Sequence, residues 1–330
     1  MNRREMLFLT AGTMAAFPQA AAAQQASRMR RIGFLMGYPE GDAQSQPNVS
    51  AFKEGLAKVG LQEGRNIQID YRWAGLDPER ARTFAKELIG LKPDLIVAST
   101  NQVVSIAMQE TSTVPIVFVF IGDPIGSRFA ASIERPGRNL TGFANFEAPM
   151  GGKWLEILKE VSPRSKRVGF VHHPGAPPHV QFLQYAETRA ASFGFELTSI
   201  PVRSVAEIER LISDFATAGS DSALVVAPHA LTLGSRSLIT KLASQHRLPG
   251  VYGDGHFAHG GGLLSFGINP PDQLRRAATY VDAILKGANP AELPVQLPTK
   301  YEMIINLKVA NELGIAVPPT MLARADEVIE

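Results

Sequence analysis

Apolar positions after residue 30 recur in two rhythms that take turns along the chain. Arg31 to Gly37 is a compact apolar run ending in glycine, and Val49, Phe52, Leu56 and Val59 follow at helical spacing. Ile67, Ile69, Tyr71 and Trp73 then alternate with polar neighbours across Asn66 to Trp73, which predicts a half-buried strand. Asp77 and Pro78 open a helix running to about Leu91, with Ala81, Phe84, Ala85, Leu88 and Leu91 on one stripe. Asp94 to Ala98 reads as a buried strand, Val103 to Thr111 as a helix and Pro115 to Phe120 as a further strand. This βαβαβαβ order predicts a parallel sheet with helices on both faces.

The rhythm restarts downstream. Arg167 to His172, Phe195 to Ile200, Ala223 to Ala227 and Gly250 to Tyr252 read as strands, separated by helices over Val180 to Phe193, Val205 to Ala218 and Ser235 to His246. Two successive α/β units predict two similar lobes, although no residue-level repeat links them. Arg138 to Asn145 lacks helical periodicity and precedes a helix at about Gly151 to Glu160. The glycine-rich Gly260 to Gly267 precedes a helix over Pro271 to Leu285. Both segments are read as crossings between lobes, with glycines able to absorb backbone rotation, and two ordinary surface loops are the alternative.

The first 25 residues have a different pattern. Arg3 and Arg4 precede an apolar run from Met6 to Phe17, followed by the small residues Ala21, Ala22 and Ala23. That is the layout of an export signal, twin-arginine-like in its paired arginines, with a general-secretory signal or an uncleaved anchor as the alternatives; cleavage is expected near Ala23 and Gln24, with a periplasmic product. The whole chain has 33 basic and 31 acidic residues; without Arg3, Arg4 and Glu5 the balance is 31 to 30. Such a surface gives nucleic acid or an anionic membrane nothing to hold. No cysteine is present, so the chain has no disulfide, no thiolate metal site, no cysteine nucleophile and no lipid-attachment cysteine.

In open parallel sheets ligands bind beyond the carboxyl ends of the strands. In the first unit those positions hold Tyr38, then Ser99, Thr100 and Asn101, then Asp123. In the second they hold His172 and His173, His229, and Tyr252, Asp254 and His256. Hydroxyls, an amide, two carboxylates, imidazoles and aromatic rings suit a small polar or zwitterionic ligand with an apolar part. Ser99, Thr100 or Asn101 equally suits a helix cap, and Asp123 a brace for the turn before Pro124. His172 and His173 look like half a metal site, but neighbours on an extended segment point apart and no third ligand follows at helical spacing, so no metal is expected. Gly-rich nucleotide loops and a G-x-S-x-G elbow are absent, and no nucleophile with an orienting base is visible, so no cofactor and no catalytic activity are expected.

Several motifs closely resemble the substrate-binding proteins of ABC transporters: Pro115 to Phe118 with Gly122, Asp123 and Pro124; Arg135 to Gly142; Gly261 to Gly267; Ala278 to Ala288; Leu293 to Lys300; Ile304 to Lys308; and Arg324 to Ile329. The resemblance implies a type I periplasmic binding protein fold, α/β, with two Rossmann-like lobes around a multi-stranded hinge. It places residues 28–146 and 264–297 in the first lobe and 147–263 and 298–330 in the second. It implies a monomer that takes a small molecule in the interlobe cleft and delivers it to an inner-membrane ABC permease. Some relatives are associated with tryptophan or other aromatic amino acids. For such a ligand Ser99 and Thr100 would meet the carboxylate, Asp123 or Asp254 the ammonium, and Asn145 at the hinge either group. Tyr38, Tyr252 and Phe257 would cover the side chain. Relatives often show a Gly-Thr-Pro-Ala turn where this chain has Ser99 to Gln102. A sensor subunit for a membrane receptor fits the same sequence logic, and a periplasmic enzyme on the same scaffold is the further alternative. A DNA-binding regulator lacks a headpiece here.

Overall fold

The computed structural model describes residues 29–41, 45–75, 77–146 and 148–330. The expected export signal lies outside the described residues. The first lobe is built from β1 (Arg30–Met36), α1 (Ser45–Lys58), β2 (Ile67–Trp73), α2 (Pro78–Gly90), β3 (Leu95–Ser99), α3 (Asn101–Glu110), β4 (Ile116–Gly122) and β5 (Leu140–Phe146). Its strands pair in parallel in the order β2-β1-β3-β4-β5. Residue alternation decides what each face buries. Phe34, Val97 and Val117 face α1, whereas Leu35, Ile96 and Phe118 pack with Ala85 and Leu88 of α2 and Val104 of α3. Helix α2 begins where the sequence predicted, because Asp77 accepts the N–H groups of Glu79 and Arg80 and Pro78 occupies the first turn.

The second lobe follows with α4 (Met150–Val161), β6 (Arg167–His172), α5 (Pro177–Ala190), β7 (Glu196–Pro201), α6 (Val205–Thr217), β8 (Ser222–Val226), α7 (Ala230–Gly234), α8 (Arg236–Gln245), β9 (Gly250–Tyr252), α9 (His256–His259) and β10 (Leu264–Gly267). The chain then runs through α10 (Pro270–Leu285), β11 (Glu302–Asn306), α11 (Leu307–Leu313), α12 (Pro319–Leu322) and β12 (Glu327–Ile329). The second sheet has the order β12-β11-β10-β9-β8-β6-β7, with β11 antiparallel to β10. Trp154 and Leu158 of α4 and Phe182 of α5 cover one face; Ile208 and Ile212 of α6 and Ile239 of α8 cover the other.

Two expectations about the crossings need correction. Leu140 to Phe146 is itself an edge strand of the first sheet, paired with β4, and the crossing comes after it. Leu264 to Gly267 is hydrogen-bonded between β9 and β11, so the chain leaves the second sheet after Gly267 and not at Leu264. From there α10 packs on α1 in the first lobe. Their contact is backbone-close: a Cβ on Gly55 would lie 2.3 Å from the Arg275 carbonyl oxygen and 2.9 Å from the Ala278 Cβ. Gln273 fastens α10 to the first sheet, accepting the Phe120 N–H at 2.7 Å and donating to the Ala144 carbonyl at 2.9 Å. Val295 N–H bonds to Ile133 before the chain returns through β11. At the crossings Asn269 caps α10 through the Asp272 N–H and also donates to Glu302 Oε1. Among the described residues no helix is long and apolar enough to cross a membrane.

Candidate functional site

The carboxyl ends of both sheets open onto one cleft. It consists of an inner chamber of about 50 Å³ and an outer space of about 640 Å³, and Tyr38, Phe120, Asn145, Leu233, Asp254 and Ile268 line both. The inner chamber adds Met36, Ser45, Asn48 and Trp73 from the first lobe and Arg236 and His256 from the second. Its first-lobe wall is largely apolar. Tyr38 and Phe120 meet edge to face with centroids 6.4 Å apart, and Trp73 stands edge-on to the core ring of Phe34 at 6.0 Å. The outer space runs between the α3 N-terminus, with Thr100, Asn101 and Gln102, and a second-lobe wall carrying His173, His179, Arg203 and His229.

Backbone strain concentrates on the first-lobe rim. Thr100, Phe120 and Asp123 have φ values of 68°, 59° and 45°, conformations in which a side chain costs roughly 1–3 kcal/mol. Thr100 stands at the cap position of α3 without a side-chain capping bond, and its hydroxyl and methyl pack against Gly37. Asn101 donates to Gly122 O at 2.9 Å and Ser127 Oγ at 2.7 Å, and accepts the Gly122 N–H at 3.2 Å, locking the ends of β3 and β4 together.

On the second lobe Asp254 is 9% exposed. Burial opposes its ionisation. The His256 charge, hydrogen bonds from the His256 ring and backbone N–H, and the charge of Arg236 outweigh that effect and hold the carboxyl below its ordinary range. The histidines form a separate group. His173 and His229 stack with centroids 4.3 Å apart, and His179 meets His229 edge-on at 5.5 Å. The His179 Nδ1 accepts the His173 N–H and its Nε2 faces the Pro228 carbonyl at 3.2 Å, while His229 Nδ1 accepts the Leu231 N–H as cap of α7. Burial, reinforced by the neighbouring imidazoles, lowers His179 to about 3 and His229 to about 4. These rings are neutral at physiological pH. Among the described residues no group of three or more His, Cys, Asp or Glu side chains is arranged to hold a metal ion.

The strand-end positions sort unevenly. Tyr38, Thr100, Asn101, Asn145, His229 and Asp254 line the cleft. Four others do not. Ser99 is fully buried and accepts the Gly37 N–H at 2.9 Å, bracing β3 against β1. Asp123 braces its own turn through the Gly126 N–H and takes a bond from Gln181 across the lobes. His172 turns toward the sheet edge, where its Nε2 pairs with Ser199 Oγ at 2.8 Å. Tyr252 follows Val251 and so points to the opposite sheet face; it stacks on Phe257 at 4.6 Å, and burial pushes its phenol up. Neither Tyr252 nor Phe257 reaches the cleft. Among the residues that strand-end reasoning missed are Asn48, Trp73, Phe120 and Arg236. Only Trp73, the aromatic end of an alternating strand, carried a local signal.

Two α/β lobes joined by several crossings, with a ligand-sized cleft at their facing strand ends, define a bilobal solute-binding protein. A family model for ABC transporter substrate binding proteins matches residues 39–329, and the chain belongs to that family. It is 24% identical over 264 residues to a tyrosine-binding protein of Clostridioides difficile, covering 79% of this chain and 75% of the relative. A conserved domain protein of Vibrio cholerae superposes with a TM-score of 0.83 at 26% identity, over 91% of this chain and 100% of that one. An ABC domain from Streptococcus pneumonia in complex with L-Trp gives 0.84 at 23% identity, over 92% and 100%. The architecture is that of the type I periplasmic binding proteins, as the sequence motifs implied, and the chain is a substrate-binding protein of an ABC transporter.

Proposed function

We propose that this protein captures an aromatic amino acid outside the cytoplasm and delivers it to the permease of an ABC importer. The observation that carries the reading is the division of the inner chamber: Met36, Tyr38, Trp73 and Phe120 on one lobe face Asp254 and Arg236 on the other. An apolar ring gains from the first wall, and a zwitterionic head group needs both charges of the second. Asp254, ionised, takes the ammonium with help from the Asn145 carboxamide oxygen, which is buried and has no partner. Arg236 faces the carboxylate, with the α3 N-terminus at Thr100 and Asn101 across the cleft. A ligand touching both walls stabilises the closed arrangement by its differential contacts. The relatives named for tyrosine and tryptophan support the ligand class, and the layout of residues 1–25 supports export.

A thermal-shift screen of the chain starting at Gln24, refolded to remove carried-over ligand, tests this against amino acids, aromatic acids, nucleosides and sugars. Melting temperature rises with the excess of a ligand over its dissociation constant. A selective rise with aromatic amino acids is expected. A rise only with aromatic acids lacking the ammonium would remove Asp254 from its role, and a rise only with sugars or nucleosides would overturn the reading.

A further inference from the structure

Asn48 lies on the first turn of α1, 8% exposed, and its Oδ1 is buried with no hydrogen-bond partner. A buried acceptor in that state is a standing liability unless something brings it a donor. Among the described residues, nearby polar groups do not. The Ser45 hydroxyl is committed to the Pro39 carbonyl at 2.8 Å, and neither Tyr38 nor Trp73, which share this wall of the chamber, bonds to the Asn48 oxygen. Position separates the two unpartnered amide oxygens of the site. Asn145 lines both the chamber and the outer cleft, at the junction that also holds Asp254; Asn48 lines the chamber alone, together with Met36 and Trp73.

We propose that Asn48 is a specificity-determining residue that accepts a hydrogen bond from a donor on the ligand's aromatic ring, a phenol O–H or an indole N–H, and thereby discriminates against an unsubstituted phenyl ring. This rests on the aromatic amino acid reading above. With the ammonium held at the junction by Asp254 and Asn145, the side chain points inward, and its far edge is the part that reaches Asn48. A phenyl ring would displace water from the chamber and leave the oxygen unpaired. A site built around a polar partner rejects an analogue lacking it far more strongly than an apolar pocket rejects a size change.

Calorimetric titration of the Gln24-start chain and its Asn48→Leu variant with L-tryptophan, L-tyrosine and L-phenylalanine tests the assignment. Leucine keeps the shape of asparagine without its polar atoms, so the ligand-free variant should melt at or above the parent temperature; Asn48→Ala serves if it does not. The parent should bind its better donor-bearing ligand on the order of ten-fold or more tighter than L-phenylalanine. In the variant that ligand should fall to the level of L-phenylalanine, whose own affinity stays within about three-fold or improves. Equal losses for all three ligands would make Asn48 a packing or head-group residue and overturn the proposal, as would discrimination that survives in both variants. Binding of all three with equal affinity by the parent overturns it while leaving the aromatic reading intact; binding of none overturns both.

Discussion

The two walls of the cleft are made of different materials. The first lobe presents Met36, Tyr38, Trp73 and Phe120, backed by a strained rim at Thr100 and Phe120. The second presents Arg236, Asp254 and His256, with the neutral imidazoles of His173, His179 and His229 further out. The contrast follows from where each wall comes from. First-lobe chamber residues extend the strands and the core face of α1, so they inherit the apolar character of that face. Second-lobe residues come from a helix start and from the turn after β9, where polar side chains satisfy backbone groups: Asp254 accepts the His256 N–H and Arg236 donates to the Leu233 carbonyl. On the proposed reading recognition is thereby divided, with ring burial on one side and charge on the other, and neither lobe alone offers a complete site.

Asp254→Asn should break the comparison most severely, because it removes the one carboxylate that the described residues bring to the chamber and leaves the ammonium of the proposed ligand uncompensated. We expect a loss on the order of a hundred-fold in affinity for a zwitterionic ligand, read by calorimetry, and little change for a ligand without the ammonium. Trp73→Leu probes the opposite wall. It should weaken binding about ten-fold for aromatic ligands, with the loss appearing mainly in the dissociation rate. Acid should act on the second lobe. Unfolded histidines take up protons near pH 6.5, whereas folded His229 and His179 resist until about 4 and about 3, so the unfolded state binds more protons between these limits. Melting temperature should therefore fall as pH drops from about 6.5 to about 4. His229→Asn, which keeps an acceptor for the α7 cap, should make that fall shallower. The smallest effect is expected from Gln181→Ala. It removes the bond to Asp123 that spans the lobes and should lower affinity by only a few-fold, by weakening the closed arrangement.

The alternation of strands and helices was legible because buried parallel strands and one-sided helices leave their periods in the sequence. The site was legible only in part. Reading just past each strand reached Tyr38, Thr100, Asn101, His229 and Asp254, since the strand-end rule depends on sheet topology alone. The same reading failed at Tyr252, where one step of strand alternation turned the ring to the other face, and at Ser99, whose hydroxyl had a backbone partner 62 positions away. Asn48 and Arg236 lie on helices, where local pattern distinguishes only core from solvent. They become cleft residues because two lobes dock, and nothing local in the sequence records that docking. The stack of His173 on His229 likewise joins loops far apart in the chain.

The pairing of α1 with α10 has a consequence for how the chain matures. The first sheet is complete at Phe146 and Phe52 of α1 packs on Phe34 within it, yet the flank of α1 around Gly55 is covered by α10, whose residues end at Leu285. On a ribosome the second lobe must be almost wholly synthesised before that face can close, a delay on the order of ten seconds. Throughout it the nascent first lobe shows a greasy flank with Gly55 at its centre. That flank is where a chaperone would hold the chain, and a crowded side chain at Gly55 would lengthen the stay.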